Sequence, residues 1–203
     1  MRKLPPRTAF TLAGLALVAG TALTTAPPAG AATTAPMQLP APSSEGFIVN
    51  ANSGKCLVPL RDNLFSNGDV VVQATCNDTV AQAWELIPIG TQTYWDFKGN
   101  LPSYRIVNAA SGLCLDDMDG VSSDGATVQE WACNTTSTTM QWGDLNLPNG
   151  NDEIDNLRAS HNRNAPIGLE VPTGSVADDV PVLLYTGWDP QPAAQQWEYQ
   201  RIA

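Results

Sequence analysis

Two stretches of the chain open alike and end differently. SGKCLVPL at 53–60 returns as SGLCLDDM at 111–118, so Val58 and Pro59 of the first copy become Asp116 and Asp117 in the second. A carboxylate accepts paired hydrogen bonds from neighbouring hydroxyls, and an aliphatic side chain cannot. Further along the second copy, Gln129 and Trp131 stand two residues apart ahead of Cys133. On a strand that spacing turns an amide and an indole face to the same side. A carboxylate, an amide and one flat ring suit a shallow site that holds vicinal hydroxyls and a patch of C–H groups. The plainer readings are that Asp116 serves the turn sequence DDMDG and that Trp131 is a second core ring. Asp117 and Asp119 are expected to be solvated turn residues.

Other chemistry has less support. His161 is the only histidine and lies in the polar run RASHNRN, so no Ser-His-Asp order can be built on it. Twenty acids offer many carboxylate pairs of the kind that hydrolyse glycosides, but none has a sequence context that suggests burial. DDMDG lacks the twelve-residue calcium-loop spacing. Asn77-Asp78-Thr79 and Asn134-Thr135-Thr136 fit the N-glycosylation pattern, which is common by chance. No C-x-x-C pair accompanies Cys56, Cys76, Cys114 and Cys133, so disulfides are favoured over a metal site. No catalytic residue, metal or cofactor is expected.

The elements that must position these residues come as repeats. YRIVNAASGLCL at 104–115 matches GFIVNANSGKCL at 46–57 without a gap, and EWAC ending at Cys133 parallels QATC ending at Cys76. Trp84 and Trp142 close the two units. A third unit reads Gly168-Leu169-Glu170, then PVLLYTG with Gly187 in the cysteine's place, then Gln195-Gln196-Trp197. Repeats of about 45–100, 101–150 and 151–203 suggest a closed threefold object, since solenoids and propellers need more copies. Short β-rich runs separated by Ser-Gly, Asn-Gly and Asp-Gly turns make it all-β, and no segment has a sustained helical period. Each of the first two units carries one cysteine pair and the third has lost both members together, so the simple pairing is Cys56–Cys76 and Cys114–Cys133. The three ring positions in the units, Trp84, Trp142 and Trp197, read as core. The positions aligned with Trp131 are Ala74 and Tyr185. A shared core layer would not accept that range, because large-to-small changes leave cavities costing about 3–5 kcal/mol. Trp131 is therefore expected to be exposed.

The threefold arrangement, the S-G-x-C-L openings, the paired cysteines and Q-x-W at Gln82/Trp84 and Gln195/Trp197 resemble the ricin-B-type β-trefoil lectins and carbohydrate-binding modules across 45–203. The resemblance implies a β-trefoil of three four-stranded repeats with pseudo-threefold symmetry. It also implies four sugar-site positions per repeat: a carboxylate after C-L, an amide and a ring before the second cysteine, and an Asn before Q-x-W. Repeat two supplies Asp116, Gln129 and Trp131, with Thr139 in the Asn's place. Repeat one supplies Val58, Val72, Ala74 and Ala81 and is expected to be scaffold. Repeat three supplies Glu170 and Tyr185, with Leu183 and Ala194, and is a half-site at best. Repeat two departs from the pattern at Met140-Gln141-Trp142, where Gln sits one position late.

The start of the chain has its own signature. Arg2, Lys3 and Arg7 precede an uncharged run at 8–25 and an Ala29-Gly30-Ala31 site. This reads as a signal peptide over 1–31 and a secreted protein; a membrane anchor would need a longer, more apolar run. The Pro/Ala/Thr/Ser-rich stretch 32–44 reads as a disordered leader. Cleavage after Ala31 removes three of ten basic residues and none of twenty acidic ones, leaving a net charge of −13. Such a chain repels phosphate backbones and anionic membranes, so neither nucleic acid nor membrane insertion is expected. The expectation is a monomeric, non-catalytic binder of a galactose- or xylose/arabinose-containing glycan. The alternative is a trefoil without sugar binding that acts as a protein-interaction module or as an inhibitor of an extracellular enzyme.

Overall fold

The computed structural model describes residues 45–61, 65–93, 100–146, 150–187 and 190–202. The expected signal peptide and leader lie outside the described residues. Repeat one contributes β1 (Glu45–Asn50), β2 (Cys56–Pro59), β3 (Asp69–Ala74) and β4 (Ala83–Thr93). Repeat two contributes β5 (Asn100–Asn108), β6 (Cys114–Asp117), β7 (Ala126–Trp131) and β8 (Trp142–Asn146). Repeat three contributes β9 (Asp152–Asn156), helix α1 (Leu157–Arg163), β10 (Ile167–Glu170), β11 (Val180–Pro181), β12 (Leu183–Thr186) and β13 (Trp197–Arg201). The third strand of repeat three is thus split at Val182. Pro181 has no N–H to donate, and β11 turns to pair with β3 while β12 pairs with β7 and β10.

First and last strands of the repeats close a barrel through antiparallel pairs β1–β4, β4–β5, β5–β8, β8–β9, β9–β13 and β13–β1. The inner hairpins cap it through β3–β7, β7–β12 and β11–β3. This is the β-trefoil. Its core repeats in threes: Ile48, Ile106 and Ile154; Leu57, Leu115 and Leu169; Val71, Val128 and Val182. The indoles of Trp84, Trp142 and Trp197 are fully buried, and their N–H groups donate to the carbonyls of Leu57, Leu115 and Leu169 at 2.9–3.0 Å. The same carbonyl in each repeat thus satisfies the one polar atom of a large ring.

The strand-end asparagines tie one repeat to the next. Asn108 Nδ2 donates to Ala81 O at 2.8 Å, Asn156 Nδ2 to Thr139 O at 2.8 Å, and Asn50 Nδ2 to Ala194 O at 3.1 Å, which closes the cycle. Asn50 and Asn108 also brace the following turns, which end at Gly54 and Gly112, both at φ +67°. That left-handed conformation favours glycine. In repeat three the turn is replaced by α1, and the Asn156 side chain caps it by accepting from Ala159 N. Seven helical residues are too few to show as a period in the sequence.

The disulfides are Cys56–Cys76 and Cys114–Cys133, as the repeats imply. Each closes a loop of about 20 residues, worth near 3 kcal/mol on a chain-entropy estimate. The late Gln of repeat two also finds its explanation. Met140 occupies the place of Gln82 and is buried, and its Sδ accepts from Asn134 N at 3.5 Å where Gln82 Oε1 accepts from Asn77 N at 2.8 Å. A thioether fills the slot and keeps a weak acceptor, so Trp142 stays in register.

The expectation that no acid is buried is corrected. Asp69, Asp116, Asp117, Glu130, Glu153 and Asp155 are all buried. Glu130 takes the place of Gln73, and Ser111 donates to it as Ser53 does to Gln73. Burial pushes the Glu130 carboxyl up to about 7; the Ser111 bond opposes this and the Asp69 charge adds to it. The repeat pattern conceals such exchanges, because Gln and Glu have one shape and alternate with apolar neighbours on the same strand.

Candidate functional site

The β6–β7 hairpin carries the site. Asp116 lies opposite Gln129, and Cys114 opposite Trp131, in its register. Gln129 Nε2 donates to Asp116 Oδ2 at 2.9 Å, and the Thr139 hydroxyl donates to Asp116 Oδ1. Thr139 is steadied in turn by Ser137 Oγ at 2.7 Å and by Asn156, which holds its carbonyl. Asp116 and Gln129 are each 5 % exposed, whereas Trp131 is 43 % exposed. A polar floor with both carboxylate oxygens oriented thus sits beside an open indole face. These residues line one open pocket of about 770 Å³ together with the 117–120 loop and Asn134. Each carboxylate oxygen keeps a lone pair for an incoming hydroxyl.

The turn of repeat one supports the ring. Gly68, at φ +85°, lies behind Trp131 so that a Cβ there would sit 3.7 Å from the indole. Asn67 Oδ1 accepts from Ala132 N at 2.7 Å, and Gly68 N donates to Glu130 O at 2.9 Å. The Asn67-Gly68 turn of one repeat therefore fixes the strand of the next.

Thr139 is the residue that sequence reasoning missed. It stands where the resemblance implies Asn, yet its hydroxyl reaches the same carboxylate. Asp117 is a correction: it is fully buried, not a solvated turn residue. Burial raises its carboxyl to about 6; Arg158, 4.0 Å away, lowers it, the Asp116 charge adds to the rise, and the amides of Ser122 and Val121 oppose it. Asp119 is exposed, at φ +57° in the turn. Arg158 lies on a helix that leaves no periodic signal, so its partnership with Asp117 was not legible.

The other repeats present different surfaces at the same positions. In repeat one Val58, Val72 and Ala81 are buried in a small apolar cluster with Val70, Ala74 and Ala110, leaving no hydrogen-bonding group there. In repeat three Glu170 Oε2 accepts from Gln195 Nε2 at 2.6 Å. Leu183 stands where Gln129 stands in repeat two, so the longer Glu170 turns to the core glutamine instead. Burial raises its carboxyl, the Gln195 bond lowers it, and Asp124 adds to the rise. Tyr185 is half-buried with its hydroxyl near Gly125. The structure therefore brings Asp116, Gln129 and Trp131 together in one pocket, while Glu170 is held by Gln195. Among the described residues no group of three or more His, Cys, Asp or Glu side chains is placed to hold a metal ion, and no helix is long and apolar enough to cross a membrane.

Solved structures share the fold. The designed threefold-symmetric protein ThreeFoil superposes with a TM-score of 0.67 at 23 % identity, covering 79 % of this chain and all of that one. The Rhizoctonia solani agglutinin gives 0.59 at 20 % identity, covering 83 % of this chain and all of the agglutinin. An exo-β-1,3-galactanase from Clostridium thermocellum gives 0.65 at 24 % identity, covering 81 % of this chain but only 31 % of the enzyme. No curated protein matches the sequence. The model of the ricin-type β-trefoil lectin domain-like family matches residues 38–97 and 91–185. With its threefold core and that match over most of its length, the chain belongs to the ricin-type β-trefoil lectin domain-like family.

Proposed function

We propose that this protein is a secreted, non-catalytic carbohydrate-binding protein whose main site lies in repeat two. The observation that carries the reading is the Asp116 carboxylate, oriented by Gln129 and Thr139 beside the exposed face of Trp131. The hydroxyls of a sugar would bond to the carboxylate and amide, and its C–H face would lie on the indole. The ligand class is a neutral galactose- or xylose/arabinose-containing glycan. A single open site buries few atoms, so affinity for one unit is about 0.1–1 mM. The lectin-like fold supports carbohydrate binding. Secretion rests on the 1–31 signature. The non-catalytic part of the reading rests on the sequence, in which the single histidine, His161, supports no Ser-His-Asp order.

The test is a tryptophan-fluorescence titration with galactose, lactose, arabinan and xylan, with Asp116→Ala beside the natural protein. A saturable shift that Asp116→Ala abolishes is expected. A flat response to all four glycans from a folded, disulfide-bonded protein would sink the reading and favour a protein-interaction role.

A further inference from the structure

The connection between β9 and β10 spans 157–166, where the equivalent connections span only 51–55 and 109–113. The extra residues form α1, and α1 grips repeat two. Arg158 Nη1 donates to Gly120 O at 2.5 Å and lies 4.0 Å from Asp117 Oδ2. Asn162 Nδ2 donates to Ser122 Oγ at 3.1 Å, and Leu157 N donates to Gln141 O at 2.9 Å. A Cβ on Gly120 would come within 1.8 Å of the Arg158 guanidinium, so a side chain there would push the arginine out of its present place.

The threefold relation shows what is special about this contact. The matching loop of repeat three has the same turn, with Thr173 at φ +59° and Gly174 at +65° where Asp119 and Gly120 have +57° and +60°. There Asn52 of repeat one caps the glycine carbonyl, at 2.9 Å, with a neutral amide. The residue matching Asp117 is Val171 in repeat three and Pro59 in repeat one. Among the described residues, only in repeat two does the strand end in a buried carboxylate, and only there does the neighbouring repeat send in a guanidinium. The loop so held, Asp117 to Gly120, is one wall of the pocket that contains Asp116 and Trp131.

We infer that α1 is an insertion that sets the outer wall of the repeat-two pocket, with Arg158 as the positioning residue. The inference rests on the carbohydrate-binding reading of that pocket. Arg158 is not among the residues that line the pocket; it acts by fixing the Asp117–Ser122 loop, through one hydrogen bond and one ion pair. The charged groups facing Asp117 are Asp116 on its own strand and Arg158 on α1, with the Val121 and Ser122 amides between them. Protonating Asp117 removes the ion pair, so the affinity of the site should step down as pH falls through about 6.

The experiment compares the full protein with Arg158→Ala, Arg158→Lys and Asp117→Asn, using arabinan and galactose as probes. The expected result is about tenfold weaker binding for Arg158→Ala at pH 7.5, partial recovery with Lys, and loss of the step near pH 6 in Asp117→Asn. Amide hydrogen exchange should rise at 118–122 in Arg158→Ala, and not in β1–β3. An arginine that merely stabilised the fold would leave the pH profile of binding unchanged. Natural affinity in Arg158→Ala with unchanged exchange at 118–122 overturns the inference. If the natural protein binds no glycan, the lectin reading fails by itself, and the exchange data still decide whether Arg158 holds the loop.

Discussion

Glu130 and Gln73 occupy one position in two copies of the same strand, and the difference between them is a charge. Burial raises the Glu130 carboxyl from its ordinary 4.5 to about 7. The folded state therefore binds this proton more tightly than the unfolded state does. The stability that follows is complete below about 4.5 and is lost as pH rises through about 7. Asp117 contributes in the same sense, between 3.8 and about 6. Glu130→Gln, which copies repeat one, is expected to leave urea stability near pH 4.5 unchanged. At pH 7.5 it should raise stability by roughly 1–3 kcal/mol, the cost of a buried polar group with an unmatched oxygen. Equal midpoints for the two proteins at pH 7.5 would show that Glu130 pays no such penalty. The contrast between Asp116 and Val58 is of the same kind. Repeat three holds Glu170 at that position, where its carboxylate accepts from Gln195 instead of facing an open pocket.

At the scale of the element, the missing disulfide of repeat three was not simply lost. In β1 and β5 the residues facing the first cysteine are Val49 and Val107, and in β9 the residue facing Gly168 is Asp155. A Cβ on Gly168 would lie 2.4 Å from Asp155 Oδ1, and one on Gly187 would lie 2.8 Å from Glu153 Oε1. Asp155 takes the space beside Gly168, and at Gly187 the flexible side-chain ends of Gln191 and Glu153 stand nearest. Asp155 is fully buried without a hydrogen-bond partner among the described residues, and burial raises its carboxyl well above the usual range. Gly168→Cys/Gly187→Cys is therefore expected to leave two free thiols by thiol titration, with a lowered Tm. Adding Asp155→Val should let the third bridge close and contribute about 3 kcal/mol. A bridge that forms with Asp155 still in place would show that the carboxylate moves aside at little cost. The insertion of α1 and the loss of this bridge lie in the same repeat. Both make repeat three the least symmetric of the three.

Over the whole molecule the charge is one-sided: twenty acidic residues against ten basic ones. The repeat-two pocket shares the bias, with Asp116, Asp117 and Asp119 on its wall and no Lys or Arg among the described residues lining it. Two unit charges at about 6 Å in water repel by roughly 0.7 kcal/mol, so two such contacts cost an acidic sugar about tenfold. Neutral arabinan or galactan is therefore expected to retard the protein in affinity electrophoresis, with polygalacturonate about tenfold weaker at low salt. The gap should narrow at 0.5 M salt, where the Debye length falls to a few ångströms. Stronger retention by the polyuronate would contradict an acidic, neutral-sugar site.

Much of this architecture was written in the sequence because it is written there three times. The repeated C-L openings, the closing tryptophans and the paired cysteines determined the trefoil, the core rings and both disulfides. Repetition turns a local pattern into a packing constraint. Asp116, Gln129 and Trp131 were legible as exceptions to that repetition, since each stands where another copy has an aliphatic or smaller side chain. What breaks the pattern only once was decided by tertiary structure alone. Thr139 reaches Asp116 across 23 residues, and Met140 lends a sulfur where the other copies have an amide. Asp117 is buried, and Arg158 reaches it from a different repeat, across 41 positions of sequence. Hydrogen bonds and ion pairs between distant segments depend on where the chain returns in space, and no local period records that.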